Sequence, residues 1–126
     1  MEPVQVHFHL RLDPEKGLFQ LSVGLLNATE KAEFELSDAQ VEGLLKMHQT
    51  ASRTRTHCHL IEGDIAATIR ILSNEKIVQS VRLMIRQRGK RIIVDFSTFQ
   101  LAQLVEYQEM VWESYQKWKE KNERTS

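Results

Sequence analysis

The stretch FELSDAQVEGLL, residues 34–45, recurs in this chain as VDFSTFQLAQLV, residues 94–105. Both copies read apolar, acidic, apolar, Ser, two variable residues, Gln, apolar, two variable residues, Leu, apolar. A shorter match, HFHL at residues 7–10 and HCHL at residues 57–60, precedes the two copies in the same order. We interpret the doubled match as an internal duplication, in which each unit ends with a strand that meets a Ser-capped helix.

The first unit, about residues 1–50, has the pattern of three strands and a helix. Apolar and polar residues alternate from Val4 to Leu12, which is the period of a strand with one buried face. Turn residues separate this run from a second alternating run, and a short third strand stops at Ser37. We expect strands at 4–12, 19–25 and 34–36, and a helix from about 38 to about 49.

The second unit, about residues 54–122, has one strand more, and the polar residues 50–56 link it to the first. We expect strands at 56–60, 65–72, 77–86 and 91–96. Ser97 or Thr98 caps a last helix of about 20 residues or more. The chain is therefore predicted to be an α+β protein, βββα followed by ββββα, with antiparallel sheet and helices packed on one side of it.

Length and composition predict one domain spanning residues 1–126. The chain is 41% hydrophobic and 27% charged, which is typical of a globular protein and excludes a disordered or fibrous class. No apolar run is long enough for a membrane span, and the first residues lack the pattern of a signal peptide. We expect a soluble, cytoplasmic protein that does not associate with membranes, and its single cysteine, Cys58, suits a reducing compartment.

Positive charge is concentrated in the middle of the chain although the net charge is zero. Residues 52–92 contain nine Lys and Arg against three acids. Such a surplus can produce a positive surface on a neutral protein. The alternative is a set of scattered, solvated arginines that serve no common purpose.

Two His-x-His pairs are candidate metal ligands. Residues two apart on a strand share a face, so His7, His9, His57 and His59 would offer four imidazoles if their strands were neighbours. Histidines on a solvent-exposed strand face are also common, and no acidic residue stands nearby in sequence to orient these rings. We therefore predict no metal site and no cofactor.

Enzymatic function is not expected either. Strand alternation places Cys58 on the face opposite its two neighbouring histidines, so neither could deprotonate the thiol. The chain has no glycine-rich phosphate loop, no nucleophile elbow and no zinc-protease motif.

A nucleic-acid interface is the function that the polar strand faces favour. These faces are predicted to be basic and almost free of acids, which suits a phosphate backbone. Stacking aromatics are missing, because Phe8 and Phe19 fall on the apolar sides of their strands. The predicted binding residues are Arg53, Arg55, His57, His59, Arg70, Arg82, Arg86, Arg88, Lys90 and Arg91.

This layout resembles PUR-repeat and PC4-like single-stranded nucleic-acid-binding proteins. Duplicated strands, each set followed by a Ser-capped helix, carry the resemblance, together with a basic open sheet face. It implies that the two units pack as a pseudo-dimer, with helices on one side and sheets toward the nucleic acid. It identifies no individual binding residue.

A protein-interaction module is the alternative. The last helix is predicted to extend beyond the sheet and carries three large aromatic residues, Trp112, Tyr115 and Trp118. They either meet a second chain, making the protein a homodimer or adaptor, or fold back onto their own domain.

Overall fold

The computed structural model describes residues 6–25, 31–73 and 79–124. The described elements are β1 (Val6–Asp13), β2 (Leu18–Leu25), β3 (Lys31–Leu36), α1 (Asp38–Thr54), β4 (Cys58–Glu62), β5 (Ile65–Ser73), β6 (Gln79–Gln87), β7 (Lys90–Ser97) and α2 (Thr98–Arg124). This order confirms the predicted α+β class and its tandem βββα and ββββα units. The expected strand beginnings at Val4 and Ile77 lie outside the described residues.

The repeated Ser and Gln form a capping box at the start of each helix. The Ser37 backbone N–H donates to Gln40 Oε1 over 2.8 Å, and the Gln40 N–H donates to Ser37 Oγ over 3.3 Å. Ser97 and Gln100 make the same two bonds at 3.0 and 3.1 Å. These bonds satisfy backbone donors that a helix start leaves unpaired, which explains why this spacing recurs.

Helix α1 is longer than predicted: it ends at Thr54, not near Gln49. The polar residues after position 49 were interpreted as a linker, but Met47, His48 and Ala51 continue the buried stripe of the helix. Arg55 then ends the helix in the left-handed conformation, with φ of 53° and its N–H bonded to Ala51 O at 2.9 Å.

The strands form two antiparallel sheets, ordered β1-β2-β3 and β4-β5-β6-β7. Each sheet turns its apolar residues inward, where Phe19, Phe34, Ile69 and Leu83 are at most 1% exposed. Helix α1 packs mainly on β4 and β5 of the second unit, while α2 contacts β1 of the first as well as β6 and β7 of its own. The two units are therefore interlocked.

The helices meet at equivalent positions of the two units. His48 lies as many residues after Ser37 as Gln108 lies after Ser97, and Gln108 Nε2 is 2.6 Å from His48 Nδ1. The next pair along, Gln49 and Glu109, is joined by a 2.9 Å hydrogen bond. Equivalent residues touch each other only near a two-fold axis, so an approximate two-fold axis relates the helices at this crossing.

Side chains of the second unit cap both edges of the three-stranded sheet. At β1, Tyr107 Oη accepts from Leu10 N–H at 3.0 Å and donates to Leu10 O at 3.3 Å. At β3, Gln87 Oε1 accepts from Glu35 N–H at 3.3 Å, and its Nε2 donates to Glu35 O at 2.7 Å. These bonds pair edge groups that an additional strand would otherwise pair, and so protect the edges.

Within the described ranges, no helix combines the length and the apolar character that a membrane crossing requires.

Candidate nucleic-acid interface

The register of the four-stranded sheet defines the chemistry of its outer face. Cross-strand neighbours form three rows across the sheet. The rows are Ile61, Ala66, Arg86 and Arg91; then His59, Thr68, Met84 and Ile93; then Arg70, Arg82 and Asp95. The helices lie against the other face, and no described element covers these rows. We call the outer face, made of these residues, the arginine face.

Two rows of the arginine face carry the arginines, and the row between them combines His59 and Thr68 with the apolar Met84 and Ile93. Arg70, Arg82, Arg86 and Arg91 are all exposed. Ile93, in the middle row, is 47% exposed, and Ile61 at the edge is 69% exposed. Neither isoleucine is among the predicted binding residues, although the alternation that predicts the basic residues also places both on this face.

One acid lies on the arginine face. Asp95 faces Arg82 across β6 and β7 and accepts two hydrogen bonds from its guanidinium, at 2.9 and 3.1 Å. These bonds raise the pKa of Arg82 above its usual value. Within the part of the chain that the structure describes, no carboxylate pairs with Arg70, Arg86 or Arg91. Three of the four guanidinium groups are therefore available to a ligand.

The prediction that the polar faces are almost free of acids is wrong for the first sheet. Its outer face brings Glu33 beside Ser22 and His9, and Glu35 beside Gln20 and Arg11. Both acids come from β3, a strand that contributes none of the predicted basic residues. The basic surface is thus limited to the second unit.

The structure places five of the ten predicted binding residues on the arginine face: His59, Arg70, Arg82, Arg86 and Arg91. Arg53 and Arg55 lie at the carboxyl end of α1. His57 precedes β4, where its Nδ1 accepts from Ile71 N–H at 3.2 Å and extends the strand ladder.

The last two predicted residues, Arg88 and Lys90, lie at the turn between β6 and β7, near the first sheet. Arg88 Nε is 3.0 Å from Asp64 Oδ2, and Lys90 Nζ donates to Glu33 O at 3.2 Å. The hairpin therefore presents Arg86 and Arg91 on the arginine face and Arg88 and Lys90 beside the first sheet.

The two His-x-His pairs lie on different sheets, so the neighbouring strands that a shared metal site requires are not formed. His7 and His9 stack on each other, with ring centroids 6.3 Å apart. The residues that the structure describes contain no group of three or more His, Cys, Asp or Glu suited to a metal ion.

A polar groove of about 720 Å³ lies where the second unit meets the outer face of the first sheet. Its floor includes His9, Arg11, Gln20, Ser22, Glu33 and Glu35. Its wall includes Gly63, Asp64, Gln87, Arg88 and Lys90. This site was not predicted, because it depends on how two distant segments pack.

Asp64 organises the wall of the groove. Its Oδ1 accepts from Gln40 Nε2 at 2.7 Å and from Gln87 Nε2 at 3.1 Å. Hydrogen bonds from Gln87 and Gln40, with the Arg88 cation, lower the pKa of Asp64 below its usual value. Gly63 has φ of 59°, and a Cβ there would lie 2.9 Å from Gln40 Nε2, so a larger residue would disturb the Gln40 bonds. The sequence contains one indication of this site: Gln87 occupies an inward position of β6, where the alternation predicts an apolar residue.

The aromatic residues of the long helix pack mostly on their own chain. Tyr115 contacts Phe19 of β2 edge-to-face at 4.9 Å between ring centroids, and Trp112 lies 6.3 Å from the same ring. Tyr115 Oη donates to Asp38 Oδ2 at 2.7 Å. Trp118 stacks on Tyr115 and stays 49% exposed. Of the three residues proposed for partner binding, Trp118 is the most exposed.

Comparisons of the chain with protein-family models, with curated proteins and with solved structures found no match.

Proposed function

We propose that this protein binds single-stranded nucleic acid across the arginine face. The observation that carries the proposal is the arrangement of two arginine rows on either side of a row that contains Met84 and the exposed Ile93. A single strand offers both kinds of group at once, since its phosphates are anionic and its unpaired bases are flat and apolar. The resemblance to PUR-repeat and PC4-like proteins agrees with this proposal.

The spacing of the rows suits an extended strand. Arg82 and Arg86 are four residues apart on β6, which separates them by about 13 Å at roughly 3.3 Å per residue. Met84 lies between them on the same face, next to Ile93. Phosphates at the two arginine rows would leave the intervening bases over the middle row. His59, in the same row as Met84, offers a ring for stacking.

Fluorescence anisotropy with labelled oligothymidylate and oligouridylate at low salt tests the proposal. We expect binding that weakens steeply as salt is raised, because phosphate contacts release counterions. Replacing Arg86 and Arg91 with Ala should weaken binding to every sequence alike. It should also reduce the slope of log K against log salt by about 1.4, at roughly 0.7 per lost contact.

The matched control replaces Lys46 and Lys117, which are exposed cations on the helices, with Ala. This variant loses the same charge and should keep the slope of the unmodified protein. Absence of binding to DNA and RNA at low salt refutes the proposal, and so does an equal loss of affinity in both double variants.

A further inference from the structure

The outer edge of β4 differs from the other sheet edges, because no described element covers it. Both edges of the first sheet are capped by side chains of the second unit, Tyr107 at β1 and Gln87 at β3. The other edge strand of the second sheet, β7, contacts all three strands of the first sheet. In the described part of the chain, β4 pairs with β5 alone. An uncovered edge offers unpaired backbone groups to another strand.

The turn after β4 determines which backbone groups point to this open edge. Glu62 pairs with Ile65 across a two-residue turn, in which Gly63 has φ of 59°. In such a hairpin the residues that flank the turn bond to each other, and the bonding direction then alternates along the strand. The backbone of β4 therefore points to β5 at Glu62 and at every second residue before it. The N–H and C=O groups that point outward belong to His59 and Ile61.

A bond at the start of β4 agrees with this direction. Ile71 N–H donates to His57 Nδ1 at 3.2 Å, so the amide of Ile71 points toward β4. Ile69, two residues earlier, points the same way and is the partner of Cys58. The side chains at the open edge are exposed as well, and that of Ile61 is 69% exposed.

We propose that β4 pairs with β4 of a second copy of this chain, antiparallel and centred on Leu60. In this register His59 of each copy lies opposite Ile61 of the other. Each of these two pairs exchanges two N–H···O=C bonds, so every outward backbone group of both residues is satisfied. The exposed Ile61 is covered by an imidazole ring. A second copy fits this edge because it supplies the same two unpaired residues at the same spacing.

The side chains favour this register over its neighbours. It places Leu60 opposite Leu60 and Cys58 opposite Glu62, so no like charges face each other. A shift of two residues in one direction would place His59 opposite His59. The same shift in the other direction would place Leu60 opposite the Glu62 carboxylate. The central register is therefore the one that matches apolar with apolar side chains and separates the histidines.

The pairing would join the two four-stranded sheets into one sheet of eight strands. Residues directly opposite each other project to the same side of a sheet, so the two-fold axis stands perpendicular to it. Both arginine faces then lie on one side, and both α1 helices lie on the other. The row that contains Arg86 and Arg91 in one copy continues through Ile61 to His59 of the second copy.

Cross-linking tests the register. Glu62 and Cys58 of the other copy form a pair without hydrogen bonds, in which α-carbons are about 4.5 Å apart, a distance that a disulfide spans. Glu62→Cys should give a disulfide-linked dimer on mild oxidation, and peptide mapping should join position 62 to Cys58. Within one chain these positions are about 13 Å apart along β4, too far for a disulfide. The control Glu113→Cys, at an exposed position of α2, should give no link to Cys58.

A second variant removes the hydrogen bonds themselves. Ile61→Pro deletes an outward N–H and leaves the bonds between β4 and β5 intact. In sedimentation experiments the average mass of the unmodified protein should rise with concentration from one chain toward two, because strands of five residues make a small interface. Ile61→Pro should stay monomeric at every concentration. Ile61→Thr keeps the N–H and should still dimerise.

These measurements contain no nucleic acid, so their outcome is independent of the proposed function. A protein that stays monomeric at every concentration refutes the inference, and so does an oxidised dimer without the link between position 62 and Cys58. A dimer that survives Ile61→Pro refutes it as well, and loss of that dimer in Trp118→Ala would assign the contact to α2. If circular dichroism shows that Ile61→Pro is unfolded, the peptide map decides.

Discussion

A buried histidine, His48, lies where the two helices cross. His48 is fully buried, and its Nδ1 accepts a hydrogen bond from Gln108 Nε2, which also donates to Leu104 O. Among the described atoms His48 Nε2 has no partner. Burial lowers the pKa of His48 from 6.5 to about 4.

The lowered pKa predicts a loss of stability in mild acid. Below pH 6.5 the His48 imidazole binds a proton in the unfolded chain, whereas in the folded chain it binds one only near pH 4. The stability that neutral His48 contributes is complete above pH 6.5. It decreases by about 3 kcal/mol in total as the pH falls from 6.5 to about 4. Urea unfolding as a function of pH measures it.

His48→Leu should remove this part of the pH dependence, whereas His59→Gln, at an exposed position, should preserve it. An unchanged pH dependence in His48→Leu would show that His48 is not the group responsible.

At the scale of elements, the long C-terminal helix serves as packing for the first unit. Its aromatic residues cover Phe19 of β2 and reach Asp38 at the start of α1. Part of the segment by which α2 exceeds α1 in length therefore packs against its own chain. This packing weakens the argument for an adaptor, since Trp118 is the one residue of the three proposed contacts that is exposed.

Trp112→Ala is expected to lower the free energy of unfolding by about 2–4 kcal/mol, because it removes a large aromatic surface that packs against the core. Met110→Ala, at a side chain 60% exposed on the same helix, should change it by about 0.5 kcal/mol or less. Urea unfolding of both variants, with size-exclusion chromatography, provides the comparison. Unchanged stability of Trp112→Ala together with loss of a dimer would instead support the adaptor alternative.

At the scale of the whole molecule, interlocking predicts that neither unit folds alone. A chain divided between Thr56 and His57 leaves β1 without Tyr107 and β3 without Gln87. It also separates α1 from β4. We expect each fragment to give a collapsed amide spectrum in NMR, and the mixture to give the dispersed spectrum of the intact chain. A dispersed spectrum from the first fragment alone would contradict this expectation.

The sequence predicts the helices and strands well, but it does not predict how they pack against each other. Alternation and the capping serines, Ser37 and Ser97, located both helix starts, because these signals act between residues close in the chain. Periodicity states which side of an element is buried but not what covers it. The packing of each helix against strands of the other unit, the Gln87 bonds to Glu35 and the polar groove could therefore not be predicted. The arginine face was partly predictable, since alternation places its residues on one side of the sheet, whereas the pairing of Asp95 with Arg82 depends on the register.

The Tyr107 bonds to Leu10 have a consequence for how the protein is made. Synthesis runs from the N-terminus, so β1 leaves the ribosome long before the residue that caps its free edge has been translated. During that interval the open edge is exposed to other nascent chains and to chaperones. The first half of this protein thus has to wait for the second, and slow translation of the C-terminal helix would lengthen the period in which the edge is most prone to aggregate.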